Sequence, residues 1–326
     1  MKSIASSPKF HRYSAAGVLH VHSTRSDGRG EPEEIVQAGI EAGLDFIAFN
    51  DHRNLKLMEE GWHGRKTGNL ISITGSELQH TDLKNHLLVY GVEHVKPGGH
   101  ILDQLAGVKQ DGGIAIIAHP CEKRPLIPGL GEFPWSFGTD CAVDGIEGWN
   151  WMSSWKRRVD PVNVWNRIKY PDDMVRHPNR NAVDMWFETG GALAGGADAH
   201  GHRIMGRDVF AYSMLFRRLK THILLNRPFA TPEQFCEALR TGSCFMSNAI
   251  AGDASEYRSA VSSEKLYLKL PGRGRVSFRE KDCEMSPPVL FEEGVHCLGK
   301  VNLPVYIEIY RNGRTWIAQG IQAEEK

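Results

Sequence analysis

Short apolar runs recur through the first two hundred residues, and longer stretches with helical spacing separate them. GVLHV (17–21), DFIAF (45–49), LISITG (70–75), HLLVYG (86–91), GIAIIA (113–118), VDGIEGW (143–149) and GALAGGA (190–196) read as strands. PEEIVQAGIEAG reads as a helix: Pro32 fits a first turn, Glu33 and Glu34 suit the positive end of the helix dipole, and Gly43 ends it. HILDQLAGVKQDGG and NAVDMWFETGG are further helical stretches. Strands alternating with helices predict a parallel α/β sheet, either open or closed into a barrel. One more helix is marked by Thr231 as N-cap, Pro232 at the first helical position and Gln234 completing a capping box, with Gly242 beyond its end. After about residue 253 the period changes to two. KLYLKL, RVSFRE, PVYIEIY and TWIAQ alternate, and Asn312-Gly313 supplies a hairpin signal. Residues 253–326 therefore predict a small antiparallel β appendage without a motif for chemistry.

Polar residues of one kind interrupt this pattern at one recurring place. His20 and His22 stand two apart on one strand face, followed by a Ser-Asp-Gly turn with Asp27. Asp51 and His52 follow DFIAF, Glu77 follows ISIT, and His86 opens HLLVYG. His119 follows GIAIIA, and Asp198 and His200 follow GALAGGA. Functional groups of α/β folds collect at strand ends. Packing alone does not account for so many repeats of an apolar strand running into an imidazole or a carboxylate.

Composition narrows the class. With 326 residues, 41% hydrophobic and 24% charged, the chain has the profile of an ordinary globular protein. A formal net charge of zero gives no global attraction to nucleic acid or an anionic membrane. None of the six cysteines forms a CxxC pair, which argues against a thiolate zinc site and for reduced thiols. The opening residues MKSIASSPKFHRYSAAG carry no apolar run of signal-peptide length, and no stretch is long enough to span a membrane. The expectation is a cytoplasmic protein.

HVHSTRSDG, NDH, GSE, NHLLVYG, AHP and DAH, in this order, resemble the PHP superfamily, named for polymerase and histidinol phosphatase. The resemblance covers roughly residues 14–250. The β appendage and the SCFMSN region look more like the branch of carbaryl hydrolase-type enzymes. The resemblance implies a distorted (β/α)7 PHP-type barrel over residues 14–252, with a metal cluster at its mouth. It implies that His20, His22, Glu77 and Asp198 hold one ion. Glu77 would bridge to a second ion held by His86 and His119, and Asp27, His52 and His200 would hold a third. Glu77, Asp198 and His200 are the catalytic candidates within that set. Val18 stands where many relatives have aspartate, and Asn50 where TDH is commoner; neither change removes a ligand. Asp51 is expected to orient an imidazole.

Such a donor set suits two to three zinc, manganese or iron ions. Three carboxylates against three divalent ions leave a positive site, so a small anionic substrate is expected, phosphate above all. The expected reaction is phosphoester hydrolysis by a metal-activated hydroxide. Carbamate or carboxylic ester hydrolysis at the same metals is the alternative, and a non-catalytic metal-binding regulatory module is another. An amidohydrolase barrel also begins with HxH but usually needs a bridging lysine; here the bridging candidate is Glu77. Lys123 and Arg124, just after AHP, are candidate phosphate clamps, with Arg203 and Arg25 behind them. Asn150 is expected near the pocket. Residues 121–186 are long for one βα connection and hold six of the eight tryptophans (Trp135, Trp149, Trp151, Trp155, Trp165 and Trp186). They are read as a lid-like insertion able to stack on a ring. No aromatic-basic groove for a polynucleotide is visible.

Overall fold

The computed structural model describes residues 8–127, 131–204 and 207–323. Seven strands form its centre. They are β1 (Tyr13–Val21), β2 (Phe46–Phe49), β3 (Leu70–Gln79), β4 (His86–Tyr90), β5 (Ile114–Ile117), β6 (Gly145–Asn150) and β7 (Ala192–Ala199). They pair in chain order, and β7 returns to β1 through Leu19↔Gly196 and Val21↔Ala199. The sheet is therefore closed: a mixed α/β fold built on a distorted seven-stranded barrel.

One strand departs from the expected parallel pattern. β4 runs antiparallel to both β3 and β5. The cause is local. Only residues 80–85 join β3 to β4, and a parallel pair needs a crossover of a dozen residues or more. Leu83 and Asn85 take positive φ in that turn, and Gln79 pairs with His86 across it. The reversal brings His86, the first residue of β4, to the end of the barrel where the other strands finish.

Helices cover the outside. α1 (Pro32–Glu41) has the proline at its start and a capping box between Glu31 and Glu34, and buries Ile35, Val36 and Gly39. α2 (Ile101–Gln110) packs Leu105 and Val108 into the same outer cluster. The interior is filled by Leu19, Phe46, Ala48, Ile73, Leu88, Ile116 and Ala194. The predicted helix 232–240 has the expected Thr231–Gln234 capping box and adds Phe235 and Leu239 to this interior cluster. It does so beside Phe46, Tyr90, Ile114 and Ala192, so it plugs the end opposite the mouth.

The C-terminal β region continues the barrel sheet. The first half of β1 pairs with β8 (Leu219–Leu225), β8 with β9 (Cys244–Asn248), and β9 with the strand Arg314–Ile321. That strand forms the expected hairpin with Val305–Arg311 around Asn312 and Gly313, both at positive φ. A second, three-stranded sheet packs Leu266, Leu268 and Leu270 against Ile307, Ile309 and Trp316.

The stretch 121–186 is not one connection, because β6 crosses the barrel within it. Its tryptophans are largely structural. Trp149, Trp151 and Trp186 are fully buried, Trp135 and Trp155 nearly so, and Trp165 stands exposed. Five of the six are thus packed in the core rather than presented to a ring. No helix among the described residues is long and apolar enough to cross a membrane.

Candidate metal centre

At the barrel mouth, one carboxylate is surrounded by five imidazoles. Glu77, buried near the end of β3, places Oε1 2.6 Å from His86 Nδ1 and 3.3 Å from His119 Nε2. Its Oε2 lies 3.3 Å from Nε2 of both His20 and His22, and 3.1 Å from His52 Nδ1. Asp198 Oδ1 is 3.6 Å from His20 Nε2 and 3.4 Å from His200 Nδ1. Asp27, half-exposed on the loop after β1, lies 3.4 Å from His52 Nε2 and 3.3 Å from His200 Nε2. All nine residues singled out in the sequence therefore meet in one place. Their donor atoms form overlapping sets, each within 4.8 Å: His22/Asp27/His52/His200, His20/His22/Glu77, His20/His119/Asp198 and Glu77/His86/His119. These sets share members more widely than the grouping implied by resemblance, since His22 also reaches the Asp27 set and His119 the Asp198 set.

Surrounding groups fix how the imidazoles point. His20 Nδ1 donates to Glu147 Oε1 at 3.0 Å, which turns Nε2 toward Glu77 and Asp198. His86 Nε2 donates to the Leu83 carbonyl at 2.9 Å, leaving Nδ1 for the cluster. His200 Nδ1 donates to the Asp198 carbonyl at 3.0 Å, leaving Nε2 for Asp27. In each case a fixed acceptor selects the tautomer and leaves a lone pair facing inward. His20 Nε2, both ring nitrogens of His22, and His119 Nδ1 are buried without any hydrogen-bond partner. Polar atoms so placed are costly in a fold unless something else meets them.

Two further features mark the site as built at the expense of local comfort. His20, His119 and Asp198 take φ of 62°, 29° and 53°, a left-handed region that costs a non-glycine residue about 1–3 kcal/mol. Gly196 faces the His20–Glu147 pair so closely that a methyl group there would collide with Glu147 Oε1.

Burial opposes charge throughout the cluster, and at several of its groups opposite charges outweigh it. Glu77 is held well below the usual carboxylate range, against burial, by His20, His86 and His52. Asp198 is lowered likewise, against burial, by His20, His200 and Lys156. Asp27 is lowered, against burial, by hydrogen bonds to His200 and His52. In return, and again against burial, Glu77 and Glu147 raise His20, and the Glu77 hydrogen bond helps bring His119 to about 9. His22 is pushed well down by burial and by the neighbouring His200 and His52. The carboxylates attract protons here as they would attract any other cation, so protons and divalent metals compete for these nitrogens.

Sequence reasoning missed Glu147. It is buried on β6, and its second oxygen accepts from the His119 backbone N–H at 2.7 Å and from Asn150 Nδ2 at 2.9 Å. The signal was an acid enclosed by Gly-Ile and Gly-Trp in a strand that ends at the mouth. Asn150 is buried with both polar ends engaged, one on Glu147 and the other, Oδ1, accepting from Ser153 N–H at 2.7 Å. It positions Glu147 and caps a helix beside the mouth. Asp51 does not orient an imidazole: its carboxylate accepts from Ser23 and Ser26 and ties down the loop carrying Asp27. Arg25 is held by Glu31 and Glu60. Lys123 and Arg124 are exposed on the loop beyond His119. The Arg203 side chain lies outside the described residues. His202 stacks on His200, with ring centroids 5.2 Å apart. Lys156, which the sequence reading passed over, is a cation whose charge acts on Asp198 in the cluster.

Residues 19–102 match the PHP domain family model. Over that stretch the chain is similar to a PHP domain. The matched stretch runs from the end of β1 into α2 and includes His20, His22, Asp27, His52, Glu77 and His86; the PHP domain match thus takes in six of the nine converging residues. An uncharacterized protein of Methanocaldococcus jannaschii is 24% identical over 143 residues, 40% of this chain and 80% of that one. Among solved structures, PsfC from Pseudomonas syringae is similar at 14% identity, with a TM-score of 0.47 over 70% of this chain and 90% of its own. A two-domain protein from Bacteroides vulgatus, described as containing a predicted PHP-like metal-dependent phosphoesterase, is similar at 12% identity, with a TM-score of 0.46 over 99% of both chains. These are distant likenesses.

Proposed function

We propose that this protein is a metal-dependent phosphoesterase acting on a small phosphorylated substrate, with two to three divalent ions held by the nine residues at the barrel mouth. One observation carries the reading: five imidazoles converge on the two oxygens of Glu77, while four buried ring nitrogens have no hydrogen-bond partner. Mixed imidazole and carboxylate donors fit zinc, manganese or iron better than magnesium or calcium. Ions bound there supply Lewis acidity and bring the pKa of water toward 7.

The chain itself does the rest. Glu147, the Leu83 carbonyl and the Asp198 carbonyl each hold a proton on the outward nitrogen of an imidazole, so that the inward one stays available. Glu147 also adds a fourth carboxylate, itself buried, beside the Asp27, Glu77 and Asp198 set. Three divalent ions would still leave the pocket positive, by two charges rather than three. A substrate carrying a phosphate dianion gains most from that excess.

The test uses the metal-loaded protein with p-nitrophenyl phosphate and p-nitrophenyl acetate in parallel, and elemental analysis of the same preparation. Turnover of the phosphate, dependent on manganese or zinc and lost on chelation, is expected. Hydrolysis of the acetate or of carbamates alone would move the protein to carboxyl ester chemistry at the same site. A chain that binds metal and turns over neither would be a regulatory module.

A further inference from the structure

We propose that Lys156 is the phosphate-binding cation of this site, held by Glu122 one turn beyond His119 until a phosphorylated substrate takes up its free N–H groups. The proposal rests on the phosphoesterase reading above and assigns the side chain that recognises the phosphate.

Lys156 is carried there by a rigid element. The helix Trp151–Lys156 starts directly from the end of β6, is capped by Asn150, and is anchored by buried Trp151, Met152 and Trp155. Lys156 is its last residue. The ammonium Nζ lies 2.7 Å from Oε1 of Glu122, a carboxylate with no exposed surface. Glu122 follows His119 by a single turn, its N–H bonded to the His119 carbonyl at 3.0 Å. The other Glu122 oxygen accepts from Phe133 N–H at 3.0 Å. The Phe133 ring stacks on His86 at 5.1 Å, and Lys156 Nζ lies 5.5 Å from the same ring. Two short chains of contact, His119–Glu122–Lys156 and His86–Phe133–Lys156, therefore tie this cation to the Glu77 side of the cluster. Asp198 and Glu77 both act on its charge.

The environment is that of a binding group rather than a structural ion pair alone. An ammonium has three donors. One goes to Glu122, and the others have no protein acceptor among the described residues. The side chain is 16% exposed, so a solute can meet it. Lys123 and Arg124, by contrast, are exposed on the loop. A lysine clamps phosphate as a point charge, and a dianionic phosphomonoester answers to it better than a diester or a neutral ester.

The experiment compares wild type with Lys156→Met, Lys156→Arg and Glu122→Gln, all metal-loaded. It measures binding of inorganic phosphate by calorimetry and the KM and kcat for p-nitrophenyl phosphate, with metal content and thermal midpoint recorded alongside. Lys156→Met should weaken phosphate binding and raise KM by about 10–100-fold, the effect of losing one hydrogen bond to a charged group, at unchanged metal content. Lys156→Arg should recover most of that loss. Glu122→Gln frees the ammonium and should tighten phosphate binding, opposite in sign to Lys156→Met. An ion pair of purely structural value would lower the thermal midpoint in both Lys156→Met and Glu122→Gln and leave phosphate affinity alone, which overturns the proposal. If Glu122→Gln does not fold, the Met and Arg variants decide between them. A wild type that hydrolyses phosphate esters while Lys156→Met binds phosphate equally well refutes the lysine assignment only. A metal-loaded wild type without phosphatase activity refutes the phosphoesterase reading itself.

Discussion

The barrel sheet runs on into the C-terminal β layer, where a second sheet packs on it, yet the barrel mouth and that layer are built in opposite ways. In the β layer, alternating positions bury Leu266, Leu268, Leu270, Ile307, Ile309 and Trp316. Buried polar groups pair there, as Thr315 does on Glu308 at 2.6 Å and Tyr257 on Gln319 at 2.8 Å, with the Tyr306 hydroxyl an exception. At the mouth, left-handed backbone occurs at His20, His119 and Asp198, and buried imidazole nitrogens go unmatched. The contrast separates two uses of a sheet. One region follows the binary pattern and stabilises the fold, while the other departs from local rules to aim donors at a common point.

A pair of substitutions should break this comparison most sharply. Glu77→Gln should lower turnover by about a thousandfold or more, with secondary structure retained by circular dichroism. Trp316→Ala removes a fully buried indole that donates to the Gly252 carbonyl, and should cost about 3–5 kcal/mol of stability in denaturant unfolding without changing metal content. If Trp316→Ala strips the metal, or Glu77→Gln keeps full activity, the two regions are not separable as described.

A smaller effect tests the supporting groups at the mouth. Glu147→Gln weakens the hold on His20 Nδ1 and should reduce metal affinity by about 10–100-fold in a competitive chelator titration. Unchanged affinity would mean that the His20 ring is oriented by something else.

The smallest effect lies at the junction. His222, on β8, is held down to about 3 by burial and by Lys220, while its ring stacks on Phe245 and bonds Ser247 at 2.8 Å. Between about pH 6.5 and 3 the unfolded chain binds this proton and the folded chain does not. Stability contributed by the neutral ring is therefore full above about pH 6.5 and falls with decreasing pH, by at most about 1.4 kcal/mol per pH unit. Urea unfolding at pH 7 and pH 5.5 should show a larger loss for wild type than for His222→Gln. Equal losses would remove His222 as the source.

Much of this was legible before folding. Each of the seven strand candidates corresponds to a barrel strand, and the Thr231–Gln234 capping box and the Asn312-Gly313 hairpin stand where their residues indicate. Most of the nine convergent residues could be found because they follow or open an apolar strand, and His20 and Asp27 because they share the HVHSTRSDG segment with His22. Glu147 and Lys156 were harder to read. Glu147 lies inside its strand rather than after it, and Lys156 is tied to the site through Glu122 and Phe133, both distant in sequence. The tryptophan-rich stretch misled for a related reason, since composition does not tell whether an indole faces a pocket or a core.

By itself, the sequence determined the order and type of the elements and the kinds of donor delivered to their ends, because period, capping and turn chemistry act over a few residues. Only the tertiary structure decided that the sheet closes, that β4 runs backward so that its first histidine faces the mouth, and which carboxylate supports which imidazole. Those outcomes depend on contacts between residues far apart in the chain, and local spacing does not encode them.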